Sequence, residues 1–557
     1  AQEKDKEKKY FLGTLLLHNK GNYKMHVVDG QQRLTTSVIF IAAALRINNE
    51  KNIFRKGLIK DKLLKRTFIY DEDEEMQKFH TIKEDNPFFR TQILGMKESE
   101  VTEGSPSSYR LKEAFEYFLK SVQDDEWEDL IYALVTAKLI IYSVENSADA
   151  TLIFELQNDR GKKLTDLESL KSYLMHLIYL NAKNPEEGLQ EIQTQFSNIY
   201  RNIEKQSSNK KIPSEDAILS YHCVANLEWK EDEWRNPKKL IKHTIKNLTN
   251  ENTTQWVLGF VNNLNETYKL FTTLFDKLDD ISELTELILL DRMATFWPLV
   301  ITTYNHDKKL DKSDFLLACR LMEVFAMRSY GISNMRSDSG LSAFYRKARE
   351  FNGGFHNVHD FIYYMSYEYD LETRIRNGID SATIYKNNRR DTQYLLWRYE
   401  NYCRSQTGKK WEPLTWKQYL FPKNDATKLS IEHIAAQNNP ISTTIVQWKE
   451  DEDKKFIEVA THRLGNLVLD SKSANSSKGK YDFTDKLKSL SKDSTFLSQG
   501  ELVDWAEEDN NSNFIWTISS IKRRQEHMKQ YSLKTWDPKR YYKPTKLEII
   551  EESIEEI

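Results

Sequence analysis

Short apolar runs and one longer stretch of helical spacing follow each other near the start of the chain. The segments "YFLGTLLLHNK" and "YKMHVVDG" are apolar on either side of the polar turn "NKGN", a pattern typical of two buried strands. The next segment, "QQRLTTSVIFIAAALRINN", is apolar at Leu34, Val38, Ile41, Ala42 and Leu45, which is the spacing of one helix face. The pattern therefore predicts strand, turn, strand and helix, with the polar sequence "DGQQR" at the corner between strand and helix.

Further along, the same patterns predict a largely helical chain with a few strands. "KRTFIY" (65–70) and "KLIIYSVE" (138–145) have the composition of strands, and residues 149–180 have that of helix, polar turn and helix. Thr165 and Glu168 have the spacing of a capping box for the second of these helices. Residues 181–385 are mostly amphipathic helix, the pattern of a helical core. In the last third, "KLSIEHIAAQ" and "RLGNLVLD" predict two strands, and "NSSKGKYDFTDKLKSL" predicts a loop followed by a helix.

Length and composition narrow the class of protein. A chain of 557 residues is too long for a single core, so we predict a mostly helical α+β protein of three domains, 1–180, 181–385 and 386–557. Three cysteines without a CxxC pair fit a reducing cytosol and exclude a cysteine-built zinc site. No apolar run approaches the roughly 20 residues of a membrane span. The net charge of -3 limits any nucleic-acid surface to a local patch. Because the chain does not begin with Met, we expect that upstream residues are missing.

Four polar residues in the last third have the spacing of a phosphodiesterase centre. Glu432, His433, Asn466 and Asn475 follow a strand, loop, strand and helix order, which is the layout of a ββα-metal nuclease site. A neutral imidazole such as that of His433 can activate water near pH 7, and Glu432 and Asn475 carry the oxygen atoms that a hard divalent cation prefers. Because neighbouring side chains of a strand point to opposite faces, a twist or bulge must bring Glu432 and His433 to one site. The alternative for His433 is a satisfied core histidine, and the nearby His462 is a competing ligand.

In these residues the chain resembles the HNH endonucleases, and within them the C-terminal nuclease domain of GmrSD-type modification-dependent (type IV) restriction enzymes, which include SspE-like proteins. The matching segments are "IEHIAAQNNP", "LGNLVLD", "SANSSKGKYDFTDKL" and "WTISSIKRRQEHMKQYSLKTW". The resemblance implies His433 as general base, Glu432 and Asn475 as ligands of Mg2+ or Mn2+, and Asn466 as the brace of the loop. Many relatives have Asp before the histidine and Pro soon after it. This chain has Glu432 and a later Pro440, and the longer Glu side chain shifts the expected position of the ion.

The "DGQQR" corner has two interpretations. In the first it is a tight turn, in which Asp29 and Gly30 make the bend and Gln31 and Gln32 open the helix with polar groups. In the second the same geometry binds an anion, because free N–H groups and the positive end of the helix dipole attract phosphate, and Gly30 permits close approach. Arg33 would then fork onto the phosphate, and Asp29 would hold a magnesium ion or orient a water. No GxxxxGK[ST] motif occurs, so the corner is not a P-loop.

The segment "VVDGQQRLTT" resembles the signature of the N-terminal domain of the same family, a ParB/sulfiredoxin-like fold that binds a nucleotide. A second family signature resembles "IFELQNDRGKKLTDLESLK". The resemblance therefore implies a nucleotide pocket made by Asp29, Gly30, Gln31, Gln32, Arg33, Asn158, Arg160, Gly161 and, as a further candidate, Lys171. The family usually has a segment of the form Gln-Arg-x-Tyr-x-Trp upstream of the first strand. Its absence here fits the expectation of missing upstream residues.

A basic segment from 386 to 410 leads into the nuclease-like region. It contains Arg389, Arg390 and Arg398 with aromatic residues interleaved, a composition that suits the tracking of a DNA backbone. An ordinary solvated helix face has the same composition, and both interpretations stay open. Lys478 and Lys480, in the predicted loop, are further candidate DNA contacts.

The leading hypothesis is an NTP-dependent, modification-dependent DNA endonuclease of anti-phage defence, located in the cytoplasm. The resemblance implies that the N-terminal domain binds and hydrolyses GTP or another NTP and senses modified DNA, with glucosylated hydroxymethylcytosine and phosphorothioate as the marks read in the family. The HNH domain then nicks or cleaves DNA with a divalent metal, and a homodimer is a further expectation. One alternative is a non-cleaving, NTP-gated DNA-binding regulator with a ParB-like clamp. Another is a phosphotransferase whose chemistry lies at the "DGQQR" corner.

Overall fold

The computed structural model divides into two compact units, Ala1–Ser207 with Ile245–Asn265, and Ser208–Thr244 with Glu266–Ile557. It describes residues 10–544 apart from residues 20, 22–23, 74, 83–84, 97–104, 145–164, 207–210, 247, 308–311, 408–410, 421–424, 439, 449–452, 479–480 and 488–495. The described chain is mostly helical with a small mixed sheet, as predicted. The division into 1–180, 181–385 and 386–557 stays a prediction.

The first unit combines short strands with longer helices. Its strands are β1 (Phe11–Asn19), β2 (Met25–Asp29), β3 (Tyr70–Asp71), β4 (Met76–Gln77) and β5 (Lys138–Val144). Its helices are α1 (Gln31–Lys51), α2 (Asp61–Phe68), α3 (Asn86–Phe88, continued by a π-helical turn, Phe89–Ile93), α4 (Pro106–Ser121), α5 (Trp127–Val135), α6 (Asp166–Asn181) and α7 (Pro185–Lys205). The sheet has the order β2-β1-β5, and β1 pairs antiparallel with β2 and parallel with β5.

The predicted strand, turn, strand and helix at the start of the chain are confirmed. Strand β2 passes into α1 at Gly30, whose φ of +88° lies in the left-handed region that favours glycine. The apolar face of α1, including Val38 and Ile41, is buried in one core with Phe115 and Trp127. Burial of this face fixes the rotation of α1 and so presents its polar first turn at the end of β2.

The structure tests three further predictions for this unit. Strand β5 matches the predicted strand at 138–145. The capping box of α6 is confirmed, because Glu168 N donates to Thr165 Oγ1 at 3.2 Å and Thr165 N donates to Glu168 Oε2 at 2.9 Å. The strand predicted at 65–70 is wrong: α2 runs to Phe68, and only Tyr70 joins a strand. Leu64 is the buried residue on the inner face of α2, so packing along this helix face overrides the strand-like composition. The first helix predicted within 149–180 lies outside the described residues.

From residue 215 onward the chain is built mainly from helices, which confirms the prediction for 181–385. They are α8 (Glu215–Asn226), α9 (Pro237–Ile245), α10 (Asn250–Asp276), α11 (Ser282–Leu289), α12 (Trp297–His306), α13 (Ser313–Ala326), α14 (Leu341–Arg349), α15 (Phe355–Met365), α16 (Leu371–Ile379), α17 (Ile384–Asn387), α18 (Arg389–Gln406), α19 (Trp416–Leu420), α20 (Phe456–Val459), α21 (Lys472–Lys478), α22 (Leu497–Gly500), α23 (Leu502–Trp505) and α24 (Ile518–Thr535). Within the ranges that the structure describes, no helix has the length and apolar character needed to cross a membrane.

The strands of the second unit are short and occur in antiparallel pairs. They are β6 (Leu429–His433), β7 (Ile445–Gln447), β8 (Asp453–Lys455), β9 (Leu467–Ser471), β10 (Glu507–Glu508) and β11 (Phe514–Ile515). Strands β6 and β9 pair with a regular register, and α21 follows β9 directly. Both predicted strands are therefore confirmed. The loop predicted to start at Asn475 is wrong in its first part, because residues up to Lys478 belong to α21.

Helix α24 holds the turn that precedes β9. Gly465 N donates to Gln525 Oε1 at 2.7 Å, and a Cβ at Gly465 would lie 2.3 Å from the carbonyl oxygen of Ile521. The buried guanidinium of Arg524 donates through Nη1 to the carbonyl oxygens of Gly465, at 3.1 Å, and Leu467, at 2.7 Å. The close approach requires glycine at position 465 and fixes the turn that leads to Asn466.

Candidate functional site

Strand β6 ends in two of the residues predicted to act on a phosphodiester, Glu432 and His433. Both are buried, with 4% of each residue exposed. Because the pairing of β6 with β9 has no register shift, successive side chains alternate between the two faces of the strand. A bulge, one of the two expected ways to bring both side chains to one site, is therefore absent from this strand pair, and the two side chains have separate partners.

The carboxylate of Glu432 forms a buried ion pair with Lys486. The Lys486 ammonium donates to Glu432 Oε1 at 2.5 Å and to the carbonyl oxygen of His433 at 2.6 Å, and only 1% of Lys486 is exposed. Lys486 belongs to the short helical stretch 483–487, whose Phe483 packs in the core of this region. A lysine buried on a carboxylate neutralises it, so a positive charge already lies at Glu432 in this arrangement.

Both ring nitrogens of His433 are engaged. The amide nitrogen of Gln437 lies 3.1 Å from His433 Nδ1, and His433 Nε2 lies 3.2 Å from His462 Nδ1. Because the amide nitrogen of Gln437 donates, the neutral His433 ring carries its proton on Nε2 and donates it to His462. The ring of Tyr385 packs edge-on at 4.5 Å between centroids. In this tautomer Nδ1 is the nitrogen that can accept a proton, so activation of a water by His433 requires that the water replaces Gln437 at Nδ1.

Burial lowers the pKa of His433 to about 3, and the positive charges of Lys486 and Arg389 add to the effect. The pKa of His462 is lowered as well, by burial and then by the charge of Lys386. Both imidazoles are neutral near pH 7, which is the form that can accept a proton. Lys386 and Arg389 are exposed, and Arg389 lies over the ring of Tyr385 at 5.3 Å. The histidine pair thus has a positively charged rim.

Asn466 is fully buried, and its side chain makes four hydrogen bonds to described residues. Its Nδ2 donates to the carbonyl oxygens of Thr461, at 2.9 Å, and Ala435, at 3.1 Å. Its Oδ1 accepts from Ala435 N at 2.9 Å and from Trp516 Nε1 at 3.1 Å. These bonds join the segment after β6 to the turn before β9, which is the arrangement of a bracing residue.

Asn475 lies on α21 and contacts β6. Its Nδ2 donates to the carbonyl oxygen of Ile431 at 2.9 Å and to Ser430 Oγ at 3.0 Å. Both bonds use the amide nitrogen, so the amide oxygen is the atom that suits a metal ligand. The structure thus brings Glu432, His433, Asn466 and Asn475 together around one strand, although in two environments.

The oxygen donors present suit a hard divalent cation in kind. They are the oxygen atoms of the Glu432 carboxylate and of the Asn475 amide. The buried Lys486 ammonium occupies the place of a cation at Glu432 and shows that this pocket favours positive charge. Among the described residues, no group of three or more His, Cys, Asp or Glu side chains is arranged to hold a metal ion. A metal at Glu432 would therefore depend on few protein ligands and on water or phosphate oxygens.

The basic segment of α18 divides into exposed and buried residues. Arg390 is exposed and pairs with Asp291 at 2.5 Å. The structure does not favour Arg398 as a DNA contact, because its side chain is only 12% exposed and its guanidinium pairs with Glu286 and with Glu323, the latter at 3.3 Å. Three of the interleaved aromatic side chains are buried as well: Tyr394, Trp397 and Tyr399. The side chain of Lys478 and all of Lys480 lie outside the described residues.

The "DGQQR" corner is more open than the region around β6. Helix α1 begins after Gly30 with no side-chain cap, so the free N–H groups of its first turn are not covered by a capping side chain. Arg33 pairs with Asp29 at 3.2 Å, with 37% and 27% of the side chains exposed. A Cβ at Gly13 would lie 2.4 Å from Arg33 Nη1, so glycine on β1 makes room for this guanidinium. Gln31 Nε2 donates to the carbonyl oxygen of Val27 at 2.7 Å, while Gln32 is exposed.

The other predicted nucleotide contacts are only partly described. Asn158, Arg160 and Gly161 lie outside the described residues. Lys171 lies on α6, where its ammonium is 5.9 Å from the ring centroid of Phe196 and 5.8 Å from that of Tyr200. Burial lowers the pKa of Lys171. These contacts engage the ammonium with α7, and the nucleotide role of Lys171 stays a prediction.

Sequence reasoning missed two contributors to the β6 region. Lys486 lies between Phe483 and Leu487 on a helical apolar face, and a lysine at such a position signals a buried anionic partner. Tyr385, which packs on both His433 and His462, comes just before the basic segment and has no sequence signal of its own. His462 was considered only as a competing ligand, and its direct contact with His433 could not be read from their spacing.

Two protein-family models match this chain, and each match includes one of the two regions described above. Residues 3–175 match the GmrSD restriction endonuclease, N-terminal domain, and residues 371–531 match the GmrSD restriction endonucleases, C-terminal domain. The matches cover more than half of the chain and define the class as restriction endonucleases. Within that class, the chain belongs to the GmrSD family. No curated protein matches the chain significantly.

Proposed function

We propose that this chain is a metal-dependent HNH-type DNA endonuclease that is controlled by an NTP and by a modification of its DNA. The observation that carries the proposal is the gathering of Glu432, His433, Asn466 and Asn475 around strand β6, inside the segment that matches the C-terminal domain of GmrSD restriction endonucleases. A ββα-metal arrangement is the interpretation of β6, β9 and α21 that accounts for these residue types.

The proposed chemistry is hydrolysis of a phosphodiester. His433, neutral near pH 7 with its proton on Nε2, accepts a proton at Nδ1 from the attacking water once that water replaces Gln437. Glu432 and Asn475 would hold a Mg2+ or Mn2+ ion, which supplies charge stabilisation at the scissile phosphate. Lys386 and Arg389 attract the DNA backbone toward the histidine pair.

The "DGQQR" corner is proposed as the NTP site of a ParB-like domain. Support comes from the uncapped start of α1, the left-handed Gly30 and the partly exposed guanidinium of Arg33. The NTP, the sensing of glucosylated or phosphorothioate DNA, an anti-phage role in the cytoplasm and a homodimer are parts of the same proposal. The identity of the ligand as an NTP and the other three parts rest on the family resemblance.

A second candidate function is a DNA-binding regulator that does not cut. One observation favours it: His433 is buried with both nitrogens engaged, and Glu432 is neutralised by Lys486. A site locked in this state would bind a phosphate backbone through Lys386 and Arg389 without hydrolysis.

A plasmid-nicking assay separates the two functions. Supercoiled plasmids that carry no modification, glucosylated hydroxymethylcytosine or phosphorothioate would be incubated with Mg2+ or Mn2+, and the wild type would be compared with His433→Ala. We expect open-circle or linear product from the wild type and none from the variant. DNA binding by the wild type without any product would support the regulator instead.

A further inference from the structure

The contact of Lys486 with Glu432 has a consequence for the control of the nuclease site. The Lys486 ammonium is bound by a carboxylate oxygen at 2.5 Å and by the His433 carbonyl oxygen at 2.6 Å. Carboxylate and carbonyl oxygens are also the ligands that hard divalent cations take. The Lys486 ammonium is therefore bound by the same kind of oxygen ligands that a metal ion at Glu432 would need.

An ammonium and a divalent ion cannot both lie in direct contact with one carboxylate oxygen at low cost. They repel each other, and the repulsion is strong in a buried region because little water screens it. Lys486 and Glu432 are 1% and 4% exposed. Entry of a metal at Glu432 Oε1 therefore requires that the ammonium moves away.

The surroundings hold Lys486 in place. Lys486 N donates to the Asp482 carbonyl oxygen at 3.0 Å, and Phe483 on the same helical stretch packs against Trp516 at 5.1 Å between ring centroids. The backbone of this stretch is thus anchored, so the ammonium would have to leave Glu432 by rotation of the Lys486 side chain. Another anion that approaches, such as a DNA phosphate, offers it a new partner.

We propose that Lys486 is an internal counter-ion that keeps divalent metal off Glu432 until DNA draws the ammonium away. The inference rests on the proposed function, because it takes Glu432 as a metal ligand. Metal and DNA would then bind with positive cooperativity, and the protein without DNA would bind metal weakly. Such a device restrains cutting in the absence of substrate.

The test is a calorimetric titration of Mn2+ into the DNA-free full chain. The wild type is compared with Lys486→Met and Lys486→Gln, which remove the ammonium and keep much of its length. The matched control is Lys472→Met, because Lys472 pairs with Asp425 at an exposed position of the same region, with 50% and 72% of the side chains exposed. We expect both Lys486 variants to bind Mn2+ at least about tenfold more tightly than the wild type, and the control to be unchanged.

Two further outcomes complete the test. Addition of Glu432→Gln to Lys486→Met is expected to abolish the gain, because the carboxylate is then absent. If a Lys486 variant is unfolded in the absence of metal, its folding is followed by circular dichroism while salts are added. Refolding on addition of Mn2+ but not of K+ supports the proposal. The proposal is overturned if both Lys486 variants bind Mn2+ with the affinity of the wild type, or if unfolded variants do not refold with Mn2+.

The nicking assay keeps this inference separate from the proposed function. If the wild type cuts DNA but the Lys486 variants bind Mn2+ no more tightly, the counter-ion inference fails and the nuclease assignment stands. If the variants bind Mn2+ more tightly but the wild type cuts none of the three DNAs, the nuclease assignment fails and the counter-ion contact stands.

Discussion

The two candidate sites of this chain differ in how completely their polar groups are satisfied within the protein. At the "DGQQR" corner, Arg33 and Asp29 are 37% and 27% exposed, and no side chain caps the start of α1. At the end of β6, Glu432 and His433 are 4% exposed and fully engaged by Lys486, Gln437 and His462. The first site thus has uncapped N–H groups at a helix start, whereas in the proposed function the second site has to rearrange before it can react.

The difference has a physical origin in the local folds. The corner lies where a strand passes into a helix through a left-handed glycine, which has no side chain to cap the N–H groups of the first helical turn. The β6 region lies inside a small core, where every buried polar group needs a partner. Rearrangement at the second site therefore costs free energy, and substrate binding has to supply it.

The largest expected effect is that of His433→Ala on cutting. Loss of a general base typically lowers a rate by about 100- to 10,000-fold. We expect the nicking rate to fall by that factor while NTP turnover is unchanged, since the "DGQQR" corner is intact. His462→Ala is the matched comparison and should reduce cutting less. Full activity of His433→Ala, with loss in His462→Ala, would transfer the role of base to His462.

The corner is tested by Arg33→Ala. A charge-assisted hydrogen bond contributes about 1.5 to 3 kcal/mol, so nucleotide affinity should fall by roughly 10- to 100-fold in equilibrium dialysis with a radiolabelled NTP. Stability should change by less than about 1 kcal/mol, because the ion pair with Asp29 is partly exposed. Lys51→Ala, which removes an exposed pair with Asp124 at the other end of α1, is the control. Equal affinities for the two variants would remove Arg33 from the nucleotide site.

The support of the β6 region is tested by Gly465→Ala. The added Cβ would lie 2.3 Å from the Ile521 carbonyl oxygen and 2.8 Å from Gln525 N, so α24 must move away. Overpacking of this kind costs about 1 to 3 kcal/mol in urea denaturation. Gly500→Ala, with nothing within 4 Å of the new Cβ, should be close to neutral. A neutral result at position 465 would mean that α24 does not fix the turn.

The smallest expected effect is the difference in stability between two glycine variants in the first unit. Gly30→Ala and Gly57→Ala both place a side chain at positive φ, +88° and +72°, which costs about 1 to 2 kcal/mol. Only at Gly30 does the new Cβ meet a neighbour, Leu15 Cδ2 at 2.3 Å. Thermal unfolding should therefore show a larger loss for Gly30→Ala. The same loss for both would mean that Leu15 gives way freely.

Sequence patterns predicted the elements around both sites but not their side-chain contacts. The strands and helix around Gly30 and the β6–β9 pair follow from periodicity, and both are present. The burial of Arg398 was missed, because a basic residue on a charged helix looks exposed until the facing carboxylates of Glu286 and Glu323 are known. The Lys486–Glu432 pair was missed for the same reason: partners 54 residues apart in the chain leave no local pattern.

The most direct test of the account combines both sites in one assay. Nicking of unmodified, glucosylated and phosphorothioate plasmids would be followed with Mg2+ or Mn2+, with and without each NTP, for the wild type and Arg33→Ala. The account predicts that one modified DNA is cut, that NTP changes the wild-type rate, and that Arg33→Ala loses this response. No cutting of any DNA under any condition, while NTP hydrolysis is intact, would contradict it.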